Sequence, residues 1–291
     1  MMINRSLGGF TLLESIAAIV ITGIIFAAVA IFIQRPIQGY FSSTSRATMA
    51  DTADTALRRI ARDVQLALPN TVRVSANGMF IEYIPVKAGG RYQQNDACFS
   101  SGCSSLSTLG DMLNGVQIAT GSDSVAIYNQ YNNSGADCAP TTPGLYSAYC
   151  GQGTAVLTSA SGAGTTSDTL GFANTVFLPP GGSPTSRVFI IYASPVTYTC
   201  DSSTNTLWRI SGYALQAVQP TSLAAPPLST ATSVPLATNV SCPAAGAGVP
   251  PRFAYASGTS QRYALLSAWI TLQNNGETVN LLHEIHVDNT P

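Results

Sequence analysis

Hydrophobic positions follow three successive patterns along the chain. From Phe10 to Ile33 the sequence FTLLESIAAIVITGIIFAAVAIFI runs for 24 residues with Glu14 as its only ionisable side chain. A helix of that length, at about 1.5 Å per residue, reaches roughly 36 Å and crosses a hydrocarbon core of about 30 Å. Ile and Val are numerous, yet lipid imposes a helix because each backbone N–H must find its partner within the segment. The pattern predicts a transmembrane helix over residues 10–36. Arg35-Pro36 closes it. Proline lacks an N–H and clashes with the carbonyl four residues back, which predicts a kink or short break there.

A helical period then resumes. Met49, Ala53, Ala56, Leu57, Ile60, Val64 and Leu68 recur at spacings of three and four, an apolar stripe. The other face carries Asp51, Asp54, Arg58, Arg59, Arg62 and Asp63, with Asp54–Arg58 and Arg59–Asp63 spaced for i,i+4 pairs. This predicts an amphipathic continuation over residues 37–69, its charged face solvated, ended by Pro69-Asn70.

From Val72 onward the period becomes that of strands. Met79–Ile84, Ser124–Tyr128 and Arg187–Tyr192 read as strands, the last apolar enough to be central. Val196–Cys200 and Leu207–Ser211 flank the polar turn Asp201–Thr206 and predict a hairpin. Tyr263–Leu272 and Thr278–Val287 flank Asn274-Asn275-Gly276, an Asn-Gly turn signal and the clearest hairpin of the chain. Residues 99–115 and 132–155 read as loops. The stretch 219–251 holds seven prolines among Ala, Ser, Thr and Gly and reads as a surface loop. The fold class that follows is α+β: a long N-terminal helix packed on a mostly antiparallel β-rich domain over residues 70–291.

Composition locates the apolar excess. Mean hydropathy is +0.20. Summed over Phe10–Ile33, hydropathy is roughly +59, about equal to the whole-chain total of about +58. One segment therefore supplies the positive average. Residues 70–291 hold 7 basic and 10 acidic side chains, a neutral surface. A net charge of −1 excludes the basic surface that nucleic acid requires.

The six cysteines, Cys98, Cys103, Cys138, Cys150, Cys200 and Cys242, all follow the apolar segment. An even number on one side places that side in an oxidising compartment, with the N-terminus in the cytoplasm. Arg5 and Arg35 flank the span almost symmetrically and do not decide the orientation. Sequence leaves 15 connectivities open. Nearness favours Cys98–Cys103, Cys138–Cys150 and Cys200–Cys242. Zinc is not expected, since no pair of C-x-x-C units exists.

Catalytic signatures are absent: no Walker A loop, no G-x-G-x-x-G, no G-x-S-x-G and no H-E-x-x-H. His283 and His286 lie three apart in a predicted strand and so point to opposite faces. Asp201 and Asn205 read as turn residues, and Trp208 and the tyrosines as packing residues. The expectation is a protein that is not an enzyme and holds no cofactor or metal.

The segment Gly8-Gly9-Phe10-Thr11-Leu12-Leu13-Glu14, with a short basic leader before it and the apolar stretch after it, resembles the class III signal of type IV prepilins and type II secretion pseudopilins. The resemblance implies a leader over residues 1–9, cleavage between Gly9 and Phe10 by a prepilin peptidase, and N-methylation of Phe10. Glu14 then matches the family's glutamate, which meets the N-terminal amine of a neighbouring subunit during assembly. Partners implied are the peptidase, other major and minor pilins, the inner-membrane assembly platform and membrane lipid. The implied location is the bacterial inner membrane, with the β-rich domain in the periplasm, and then a pilus or pseudopilus. Further segments, Thr199-Cys200-Asp201, Leu207-Trp208-Arg209, Gly212-Tyr213 and the ending His286–Pro291, are similar to O-type minor pilins of the mannose-sensitive haemagglutinin pilus and, more distantly, to W-type and J-type components. That similarity implies a type IV pilin-like fold and a role in initiating assembly.

Other readings stay open. A J-like pseudopilin would serve secretion, and a tip adhesin would bind through the Pro-rich or Cys-rich loops. A secretory signal cut after Ala28-Val29-Ala30 is the competing account of the N-terminus, although its apolar core would exceed the usual 7–15 residues.

Overall fold

A computed structural model describes residues 11–94, 96–132, 138, 146–177, 185–242, 252–257 and 263–291. Two compact units divide the chain, Met1–Met49 and Ala50–Pro291.

Helix α1 runs from Leu12 to Gln65 without interruption, Pro36 lying inside it. The expected break at Pro36 does not form. Proline removes one hydrogen bond at a cost of about 3 kcal/mol, and long helical runs on both sides propagate cooperatively across it. The helix also ends earlier than Pro69-Asn70 suggests. Leu66 and Ala67 donate to the carbonyls of Asp63 and Val64 at 3.2 and 3.1 Å, a tightened final turn. The chain then extends: Leu68 N–H donates to Ile84 O at 2.8 Å, and Val86 N–H to Leu66 O at 2.9 Å. Leu68 stays buried on the side its helical spacing indicates, held by strand-like bonds.

Among the described residues fourteen strands follow: β1 (Arg73–Val74), β2 (Phe80–Tyr83), β3 (Val86–Tyr92), β4 (Cys103–Leu109), β5 (Ser124–Ala126), β6 (Thr154–Ser161), β7 (Thr169–Thr175), β8 (Arg187–Ile191), β9 (Val196–Asp201), β10 (Thr206–Ser211), β11 (Thr232–Ala237), β12 (Phe253–Ala256), β13 (Ala264–Asn274) and β14 (Glu277–Val287). They form three assemblies: a closed barrel β3-β4-β7-β6-β5-β8, a five-stranded sheet β1-β2-β9-β10-β11 and a three-stranded sheet β12-β13-β14. Every strand pair is antiparallel. The α+β class with an antiparallel β-rich domain is therefore observed.

The barrel corrects the reading of 99–115 as a loop, because that stretch contains β4. The described residues of 132–155 are loop and turn, as expected, until β6 begins at Thr154. The sequences of β4 and β6, CSSLSTL and TAVLTSAS, are rich in Ser and Thr, and only alternate positions supply the interior. That interior is filled by Leu106, Val125, Leu157, Leu170, Phe172, Val188 and Ile190, with Tyr92, Phe99 and Phe177 packed among them. The Pro-rich stretch 219–251 is likewise corrected in part, because it contains β11. Pro235 is tolerated there since β11 is an edge strand.

Both predicted hairpins form. Thr206 pairs with Asp201 across the first. In the second, Asn274 faces Glu277, so Asn275 and Gly276 make a two-residue turn at φ 50° and 81°. Positive φ at both positions is the type I′ requirement that Asn-Gly satisfies.

One buried ion pair was not anticipated from sequence. Arg73 and Glu82 are cross-strand partners of β1 and β2, with side chains 1% and 0% exposed. Arg73 Nη2 lies 2.8 Å from Glu82 Oε2. Its guanidinium also donates to the carbonyls of Ala217 and Gln216 and lies 3.6 Å from the centre of the Tyr149 ring. Tyr213 OH donates to Glu82 Oε1 at 3.1 Å. Burial pushes the Glu82 carboxyl up, opposed by the charge and hydrogen bonds of Arg73 and the bond from Tyr213.

Disulfides join Cys98 to Cys103, Cys138 to Cys150 and Cys200 to Cys242. The last ties β9 to the segment after β11 across a separation of 42 residues, against 5 for Cys98–Cys103. Chain entropy then ranks them. Replacing Cys200 and Cys242 by serine is expected to cost about 4 kcal/mol in urea unfolding, against about 2 kcal/mol for the Cys98 and Cys103 pair.

Candidate assembly helix and its anchor

The N-terminal unit presents a helix whose first turn is capped by Thr11. Glu14 N–H donates to Thr11 O at 3.1 Å and to Thr11 Oγ1 at 3.3 Å. Thr11-x-x-Glu14 has the spacing of a capping box, and an acid at this position suits the positive end of the helix dipole. Every side chain from Thr11 to Gln34 is exposed. The helix contains an apolar stretch long and apolar enough to cross a membrane, of mean hydropathy 3.0. Its hydroxyls turn inward: Ser15 Oγ donates to Thr11 O and Thr22 Oγ1 to Ala18 O at 2.6 Å. Among the described residues, no hydrogen bond or ion pair reaches the Glu14 carboxylate. Gly9 and Phe10 lie outside the described residues.

The second half of α1 belongs to the other unit. Ala53, Ala56, Leu57, Ile60 and Val64 are all buried, as their spacing predicts. Both expected i,i+4 pairs form, Asp54–Arg58 at 2.7 Å and Arg59–Asp63 at 3.1 Å. The charged face is not uniformly solvated, however. Asp63, with 12% of its side chain exposed, accepts from Tyr198 OH at 2.7 Å and from Arg209 Nε at 3.0 Å. It thereby fastens the end of α1 to β9 and β10. Sequence reasoning missed Tyr198 and Arg209. The available signal was the place of Asp63 beside Val64 and three residues after Ile60, at the margin of the buried stripe.

Burial alone would raise the Asp63 carboxyl. Hydrogen bonds from Tyr198 and Arg209, and the charges of Arg59 and Arg209, outweigh it and hold the group below its usual 3.8. Tyr198 is pushed up, by burial first and by Asp63 second. A cleft of about 410 Å³ opens beside this cluster, lined by Asp63, Tyr83, Tyr192, Ser194 and Arg209 among others.

The remaining sequence candidates do not converge on a site. His283 and His286 occupy opposite faces of β14. Asp201 accepts from Ser203 N–H and Oγ and from Thr204 Oγ1, bonds that hold its carboxyl low and complete the turn. Among the described residues no group of three His, Cys, Asp or Glu is placed to hold a metal. No family, curated protein or solved structure matches the chain.

Asp63→Ala is expected to cost about 2–4 kcal/mol in urea unfolding, because Arg209 and the Tyr198 hydroxyl lose a partly buried acceptor. Asp54→Ala, at an exposed pair, should cost under about 0.5 kcal/mol. The pH dependence has a definite sign. The lowered Asp63 carboxyl stabilises the fold fully above its unfolded value of 3.8, and the contribution is lost as pH falls through the lower folded value. Asp63→Asn should therefore flatten the acid limb of the stability curve.

Proposed function

We propose that the chain is a structural filament subunit, a minor pilin or pseudopilin of a type IV pilus-like assembly. The observation that carries this reading is a single carboxylate, Glu14, in the first turn of a helix that follows Gly9-Phe10 and whose apolar first half, to Gln34, is exposed. A charge at the bilayer centre costs on the order of 2.5–3.5 kcal/mol, less near the interface. A carboxylate retained in such a helix calls for a cationic partner. Cleavage after Gly9 would create one, the amine of Phe10. Within one chain that amine lies four residues from Glu14, on the same helix face. Between chains, the pair sets the register in which one helix enters a bundle of others.

On this reading the apolar side chains of α1, Leu12, Ile16, Ile19 and Val20 among them, first face lipid and then the helices of neighbouring subunits. The disulfide-bonded domain is the part displayed outside the membrane. Its similarity to O-type minor pilins points to a role in starting assembly.

Co-expression of the chain with a prepilin peptidase, followed by N-terminal sequencing and intact mass, tests the reading. The expected product begins at a methylated Phe10. A chain beginning at Ile31, or one left uncleaved, would overturn it.

A further inference from the structure

Among the described residues, strand edges other than that of β14 are absent, short or blunted. The barrel is closed and has none. In the five-stranded sheet β1 has two residues, and β11 carries Pro235 opposite a register shift at Leu207/Trp208. In the three-stranded sheet β12 has four residues. β14 differs on each count. It has 11 residues, pairs with β13 in unbroken register, and contains no proline, lysine or arginine. Those are the devices with which proteins protect an edge from other chains.

Bonds on the far side of β13 fix which groups face the open edge. Trp269 N–H donates to Arg252 O and Thr271 O accepts from Ser241 N–H, both at 2.8 Å. Odd-numbered residues of β13 thus turn their backbone groups away from β14. Their partners on β14, Thr278, Asn280, Leu282, Glu284 and His286, form the non-hydrogen-bonded pairs and direct N–H and C=O to the open edge. All five side chains are exposed. Leu282 is 52% exposed and lies opposite Trp269, itself 37% exposed.

We propose that this edge pairs antiparallel with the same edge of a second copy of the chain, about a twofold axis through Leu282. Leu282 then meets its own counterpart, and the two Trp269 side chains extend the apolar row on either side. On the same face Asn280 meets Glu284 and Thr278 meets His286. On the other face Leu281 meets His283 and Val279 meets Ile285. No like charges stand opposite one another, and about ten backbone hydrogen bonds form. A slip of the axis to residue 281 or 283 sets Leu282 against Asn280 or Glu284 and breaks the apolar row. The contact closes on itself, as an isologous interface must. It rests on sheet geometry and is independent of the pilin reading.

The test uses the full-length chain in membranes of expressing cells. Its native cysteines are all paired, so Leu282→Cys supplies one free thiol. With a short bismaleimide it should give about tenfold more covalent dimer than Ser229→Cys, an exposed site in the short 3-10 helix Leu228–Thr230. Adding Asn280→Pro removes an N–H that β13 does not use, and should bring the yield down to that of Ser229→Cys with the three disulfides intact. Equal yields from Leu282→Cys and Ser229→Cys, a yield unchanged by Asn280→Pro, or cross-linking to a different polypeptide would each overturn the proposal.

Discussion

The apolar half of α1 is exposed along its whole described length. Thirteen large apolar side chains from Leu12 to Ile33 are exposed, between 46% and 83% each. At about 1.5–3 kcal/mol for each side chain removed from water, covering them would contribute on the order of 20–40 kcal/mol. That exceeds the net stability of an ordinary domain, roughly 5–15 kcal/mol. Cover by lipid or by other helices would therefore be strongly favoured for a segment long and apolar enough to cross a membrane. Within it the backbone and hydroxyl groups are satisfied internally, through the Thr11 cap and the bonds of Ser15 and Thr22. Among the described residues the Glu14 carboxylate is the exception, and it concentrates the functional question on one group.

In the unit from Ala50 onward, three charged groups at the margin or inside of the core, Asp63, Arg73 and Glu82, are met by partners from within. Asp63 is held by three donors from Arg59, Tyr198 and Arg209. Arg73 and Glu82 sit fully buried, bonded to each other, to backbone carbonyls and to Tyr213. By contrast Arg58 and Asp54, 74% and 42% exposed, add little, since water already solvates both charges.

Strongly periodic elements were legible in the sequence. The membrane-length helix, the apolar stripe of its continuation and both hairpins follow from spacing and from Asn275-Gly276. What escaped has a physical cause in each case. β4 and β6 place Ser and Thr where a half-buried strand would usually carry β-branched apolar residues, because barrel closure satisfies their backbones. β11 hides in a Pro-rich stretch because an edge strand can hold Pro235. The end of α1 shifts by several residues because Leu66 and Leu68 find backbone partners around Ile84 and Val86. At the candidate site, Glu14 was visible from sequence because a lone acid in an apolar run is conspicuous. The anchor at Asp63 was not, because its partners lie 135 and 146 residues away.

A filament role for the chain requires Glu14 to act between subunits. The most direct measurement is incorporation of the mature chain into sheared filaments, compared between the natural sequence and Glu14→Gln at equal membrane abundance. If Glu14 pairs with the amine of a neighbour, the variant is cleaved and inserted normally but its filament fraction falls about tenfold or more, the loss of one charge pair in a medium of low dielectric. Unchanged incorporation of Glu14→Gln would contradict the account.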